Sequence, residues 1–172
     1  MRRILAVLCL IAVLATAILI GCAEKSPLGS ALAEYSKVVE GEPPEDIRMT
    51  IYYIPFGHLT SLPISKEMLI EHPNVGIRVR PEEVISNWMR FRELKPSTLQ
   101  IASQKTEHRD ARLCYILEVG DGQGNYQVIL DVLMDYADGN AIVNGVEVEH
   151  CELLLDLIHP LMSEEKWEDL MY

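Results

Sequence analysis

The sequence predicts an α+β fold in a single domain, with a small antiparallel sheet of about four to six strands packed against two or three helices. Three observations carry that expectation. β-Branched and aromatic runs with alternating polarity recur over residues 47–54, 112–119 and 126–136, and Asn144-Gly145, a strong two-residue hairpin signal, interrupts a later apolar run. An amphipathic run opens with Pro81-Glu82-Glu83 and keeps its apolar residues at helical spacing. The chain has 172 residues, 49% of them apolar, with ten Gly and nine Pro, which excludes collagen-like, low-complexity and wholly disordered chains.

Taken in order, Leu32, Tyr35, Val38 and Val39 have helical spacing behind Ser30, a good N-cap, and Gly41 follows the run. A short helix is expected there, inside a linker that Glu42-Pro43-Pro44-Glu45 closes. Residues 47–54 read as a strand ending at Pro55. Ser65 caps a short helix through Ile70, and His72-Pro73 ends it because the residue before proline leaves the α region. Residues 75–79 form a second short strand. Pro81 suits the first helical position, and Glu82 and Glu83 face the positive end of the dipole. Val84, Ile85, Trp88, Phe91 and Leu94 make the apolar side, with Asn87, Arg90 and Glu93 opposite, and Lys95-Pro96 terminates the helix.

Leu113, Tyr115, Leu117 and Val119 fall on one face of the next strand, and Arg112, Cys114, Ile116 and Glu118 on the other. After the turn at residues 120–125, strict alternation puts Tyr126, Val128, Leu130, Val132 and Met134 inward. Asp138-Gly139-Asn140 turns the chain into residues 141–148. From about His150 a helical stripe of Cys151, Leu154, Leu155, Ile158 and Met162 follows. Ser163-Glu164-Glu165 then caps a terminal helix carrying Trp167 and Leu170.

The N-terminus reads as an address. Met1-Arg2-Arg3 precedes seventeen uncharged residues, 4–20, and then Gly21-Cys22, the layout of an export signal. Leu19-Ile20-Gly21-Cys22 resembles the lipobox of bacterial lipoproteins, over these first 22 residues only. The resemblance implies that Cys22 receives a diacylglycerol, that cleavage precedes it, and that the new terminus can then be acylated. The domains expected are a signal peptide at 1–21, a lipidated Cys22 with a tether at 22–45, and a globular body at 46–172. Lipid chains would hold the body on the membrane facing outside the cytoplasm; an uncleaved anchoring helix is the alternative.

Charge and cysteine usage narrow the function. The net charge is −11, and loss of Arg2 and Arg3 with the leader takes it to −13. Residues 113–172 hold 13 acids and one base, Lys166. That field argues against nucleic acid as a partner and favours a cationic protein. With Cys9 in the leader and Cys22 lipidated, Cys114 and Cys151 could form a disulfide in an oxidising setting; two separate buried thiols are the other reading.

The sequence lacks G-x-S-x-G, C-x-x-C, H-E-x-x-H and the phosphate-loop pattern. His108-Arg109-Asp110 matches the kinase triplet by letters, but Tyr115 stands where that motif needs asparagine. Residues 121–125 have calcium-loop glycines but too few oxygen ligands and read as a turn. Glu147, Glu149, His150, Cys151 and Glu152 cluster, yet His150 and His159 fall on opposite sides of a helix and do not chelate one ion. Asp110 between Arg109 and Arg112 suggests an ion-paired site or surface network, and Tyr52, Tyr53, Phe56 and Trp88 suggest core or a ligand groove. The expectation is a lipid-anchored binding module without catalysis, cofactor or metal, its small-molecule ligand unidentified. An acidic inhibitor or immunity-type lipoprotein directed at a basic enzyme is one alternative. A small hydrolase assembled from His108, Asp110 and His150 is the other.

Overall fold

Six strands form one antiparallel sheet: β1 (Ile47–Tyr53), β2 (Gly76–Val79), β3 (Leu113–Gly120), β4 (Tyr126–Met134), β5 (Ala141–Val143) and β6 (Val146–Val148), in the order β2-β1-β3-β4-β5-β6. The computed structural model describes residues 26–58, 60, 62–71, 76–104, 106, 110–136 and 139–172. The leader, Cys22, His72-Pro73, His108-Arg109 and Asp138 lie outside the described residues. The architecture is the expected α+β domain.

Alternation makes the two faces of the sheet. Met49 and Ile51 in β1, Leu113, Tyr115 and Leu117 in β3, and Val132 and Met134 in β4 are all buried on the inner face. Helices cover them: α1 (Pro27–Ala31), α2 (Ala33–Glu40), α4 (Pro81–Ser86), α5 (Trp88–Phe91), α6 (Leu153–Asp156) and α7 (Glu164–Met171) contribute to one apolar core. The outer face carries a smaller core of Leu69, Ala111, Cys114 and Leu133 under α3 (Lys66–Glu71).

Four expectations shift. Leu28, Leu32, Tyr35 and Val39 are at most 2% exposed, so α1 and α2 belong to the body, and the boundary placed at residue 46 moves back to about Pro27. Ser26, not Ser30, caps the start, its Oγ accepting from Gly29 N at 2.9 Å. The helix from Pro81 breaks at Asn87, whose Nδ2 donates to Glu83 O at 2.9 Å, and Ile85 is left exposed. The stripe from His150 shortens to α6 and a 3₁₀ turn at His159–Leu161, because Pro160 cannot extend an α-helix.

The alternation of β4 also fails at one point. Leu117 pairs with Leu130 but Glu118 pairs with Val128, so Ile129 is an extra residue, a β-bulge. Parity inverts beyond it: Val128 turns outward and is 50% exposed, and Tyr126 joins Arg48 and Glu118 on the outer face. The β5–β6 hairpin forms as expected, with Asn144 at φ 47° and Gly145 at φ 81°, both in the left-handed region its two-residue turn requires.

Candidate functional site

Polar side chains gather where the strand ladder ends beside Tyr53, Leu113 and Met134. Arg112 sits one residue before β3; its backbone N–H donates to Met134 O at 3.0 Å and its carbonyl accepts from Ile54 N at 2.7 Å. These bonds fix the side chain on the outer-face parity of Cys114, where the loop running from Ile54 to Ile64 buries it to 4% exposure. Asp110 pairs with its Nη2, and Thr60 Oγ1 accepts from the same nitrogen at 3.2 Å. The other oxygen of Asp110 accepts from Ile64 N at 2.8 Å. Asp135, also buried, follows β4 immediately beyond Met134.

Chemically this is a carboxylate–guanidinium pair with both Asp110 oxygens engaged, an arrangement that orders a loop. Arg112 Nε and Nη1 are buried without an acceptor among the described residues. The Asp110–Arg112 pair expected from the sequence is therefore a buried site, not a surface network. Of the hydrolase trio, His108 lies outside the described residues, and Asp110 and His150 belong to the ends of β3 and β6. Those strands are three spacings apart, about 14 Å. Asp110 and His150 are therefore not neighbours in the sheet.

Beside this end lies an open cleft of about 390 Å³ lined by Tyr53, Glu165, Lys166 and Asp169. It exists because Phe56 N donates to Leu170 O at 2.9 Å, seating α7 against the end of β1. Burial first, then the hydrogen bond to Asp169, pushes the Tyr53 phenol up to about 12. Glu164, Glu165, Glu168 and Asp169 are exposed on α7, and none of them is in an ion pair among the described residues.

The remaining expected groups are dispersed. Tyr52 faces the outer core, Tyr53 and Phe56 pack against the inner one, and Trp88 is buried there, so the four aromatics do not line one groove. Glu147 Oε1 accepts from Thr106 N and Oγ1, His150 is exposed, and His159 stacks on Trp167 at 4.3 Å between centroids. No group of three metal-binding side chains occurs among the described residues. In the 121–125 turn Asp121 accepts from Gln123 N, Asn125 N and Asn125 Nδ2, and these bonds, led by the Asn125 side chain, hold its carboxyl below the usual range.

Cys114 and Cys151 are free thiols. Cys114 belongs to the outer core and Cys151 packs against the inner one, so the sheet separates them and the disulfide is not formed. Burial, then nearby Asp131, pushes the Cys114 thiol up to about 12. Lys66 pairs with Asp131 above it. Thr60, Lys66 and Asp131 meet their partners only through tertiary packing, so no local pattern marks them. No helix among the described residues is long and apolar enough to cross a membrane. No family model, curated protein or solved structure matches this chain.

Proposed function

We propose that the protein is a lipid-anchored, extracytoplasmic binding module that performs no catalysis. The observation that carries this reading is Cys22 standing at the end of a charged-then-apolar leader in Leu19-Ile20-Gly21-Cys22. The body supports display: core packing begins at Leu28, directly behind the anchor, and the Tyr53 cleft is open and rimmed by Glu165 and Asp169. Asp110 is tied to Arg112 and Ile64, and Cys114 is held protonated, which leaves neither as a free base or nucleophile. Intact mass spectrometry of membrane fractions tests the anchor. Wild type should carry diacylglycerol on Cys22 and Cys22→Ala should not; an unacylated wild-type chain in the soluble fraction refutes it.

A second reading rests on α7, whose four exposed carboxylates favour a cationic protein partner, as an inhibitor or immunity-type protein would require. Binding to a basic enzyme should weaken steeply as salt rises from roughly 0.05 to 0.5 M, where the screening length shrinks several-fold. Affinity unchanged across that range removes this reading.

A further inference from the structure

We infer that the body is presented in a fixed sense on the bilayer, with the side formed by α1 and the β5–β6 hairpin facing the lipid and the acidic helix α7 facing away. The inference rests on the anchoring of Cys22 proposed above. Four Cα steps join Cys22 to Ser26, a reach of about 14 Å at full extension. Ser26 is already fixed to the body: its Oγ accepts from Gly29 N at 2.9 Å, its carbonyl accepts from Ser30 N at 2.9 Å, and Leu28 behind it is 2% exposed. The chain therefore leaves the body at α1. That helix packs beside β6, and Ala31 O accepts from Asn144 Nδ2 at 2.9 Å in the hairpin turn.

The second observation is charge. Residues 26–33 (Ser-Pro-Leu-Gly-Ser-Ala-Leu-Ala) and 141–146 (Ala-Ile-Val-Asn-Gly-Val) contain no ionisable side chain, in a chain where 24% of residues are charged. Glu24 and Lys25 in the tether cancel. The two uncharged segments meet where the chain exits, and Glu147, the one charge in the hairpin strands, has the outer-face register of Ile142, opposite the core that α1 joins, so the side held nearest the membrane is one an anionic headgroup layer repels little. Helix α7, with Glu164, Glu165, Glu168 and Asp169, is seated on the end of β1 through Phe56 and Tyr53. β1 lies four strand spacings from β6, about 19 Å, beyond the tether's reach and about two screening lengths at physiological salt. Turning the body over would press those carboxylates toward anionic lipid and strain the tether. Geometry and electrostatics select the same orientation.

Two labelled forms of the mature acylated protein test it, both in a Cys151→Ser background: Ser30→Cys on α1 and Glu168→Cys on α7, each carrying a fluorophore at an exposed position. They are reconstituted into phosphatidylethanolamine–phosphatidylglycerol vesicles containing headgroup spin-labelled lipid, after intact mass has confirmed acylation. Quenching should be several-fold stronger at Ser30 than at Glu168. A flexible Gly–Ser insert of about 20 residues between Lys25 and Ser26, spanning roughly 25 Å on average, should largely erase the difference. Equal quenching of the two probes without the insert, or stronger quenching at Glu168, overturns the orientation while leaving the anchor intact. A chain that is not acylated fails at the mass measurement instead, and sinks the anchoring reading.

Discussion

Replacing Asn144 by glycine should be among the most damaging changes available outside the apolar core. Its side chain makes three hydrogen bonds: Oδ1 accepts from Asp131 N at 2.7 Å, and Nδ2 donates to Ala31 O at 2.9 Å and Ile129 O at 3.0 Å. Ile129 is the bulged residue of β4, outside the regular ladder, so Asn144 supplies a partner that a neighbouring strand does not. A net contribution of about 0.5–1.5 kcal/mol per bond, partly offset by water at this half-buried site, gives a loss of about 2–3 kcal/mol for Asn144→Gly. Glycine keeps the left-handed turn at no steric cost. Asn144→Ala should lose about 1 kcal/mol more, because φ is 47° and a Cβ is disfavoured there. Urea unfolding followed by circular dichroism reads both losses as a lower midpoint at unchanged slope, with the melting temperature of Asn144→Gly falling by roughly 5–10 °C. Hydrogen exchange at Ser30 and Leu32, whose amides bond back into α1, should quicken first. If Asn144→Gly stays within about 0.5 kcal/mol of wild type, the side chain is a turn former only and the link to α1 carries no energy.

Three further outcomes follow from buried polar groups. Stability should fall as pH rises from about 9 toward 12: Cys114 and Tyr53 are raised from 9.0 and 10.0 to about 12, and Tyr35 and Tyr115 are raised further by burial, so the unfolded chain releases protons that the folded chain retains. Urea midpoints at pH 7 and pH 10.5 measure this, and a midpoint that does not fall contradicts it. Arg112→Met should cost about 3–5 kcal/mol by stranding Asp110, and the Arg112→Met/Asp110→Asn pair less than the sum of the two, which a double-mutant cycle in urea would read. Thiol titration of the native protein should modify Cys151 well before Cys114, which is 0% exposed; equal rates would mean that the outer core opens readily.

The order of elements was legible because periodicity survives wherever a strand or helix has one buried side. Residues 47–53 and 113–119 behave as their alternation requires, and Pro81, Ser65 and Ser163 start helices for the reasons their chemistry supplies. Where expectation and structure part, a tertiary contact overrides a local rule. Strict alternation in β4 sends Val128 inward, but the extra residue at Ile129 reverses it, and nothing in Tyr126-Gln127-Val128-Ile129-Leu130 marks which residue bulges. The segment before residue 46 reads as linker because of Pro43-Pro44, yet Leu28, Leu32, Tyr35 and Val39 find a complete core, and Tyr35 OH donates to Phe91 O at 2.7 Å. Of the candidate site, the Asp110–Arg112 pair was visible as adjacent opposite charges. Its burial was not, because the covering loop comes from about fifty residues earlier in the chain.

The bulge at Ile129 ties the distant parts of the molecule together. By inverting parity it brings Tyr126 onto the outer face, where Arg48 lies 3.5 Å above the ring centroid and also forks onto Glu118 at 2.8 and 3.1 Å. The Tyr126 hydroxyl then reaches Asp46 Oδ1 at 2.5 Å, fixing the entry of β1. On its other side, the Ile129 carbonyl is taken by Asn144, which also holds Ala31. One inserted residue in β4 thus couples the start of β1, the β5–β6 hairpin and the helix at which the chain leaves the body. A force applied through a lipid on Cys22 would meet Leu28 and Leu32 in the core and the Asn144 bonds at the turn before it reached any strand end. Because α1 has only five residues and cannot hold itself together, that attachment to β4 is what would keep an anchored body from fraying at its own tether.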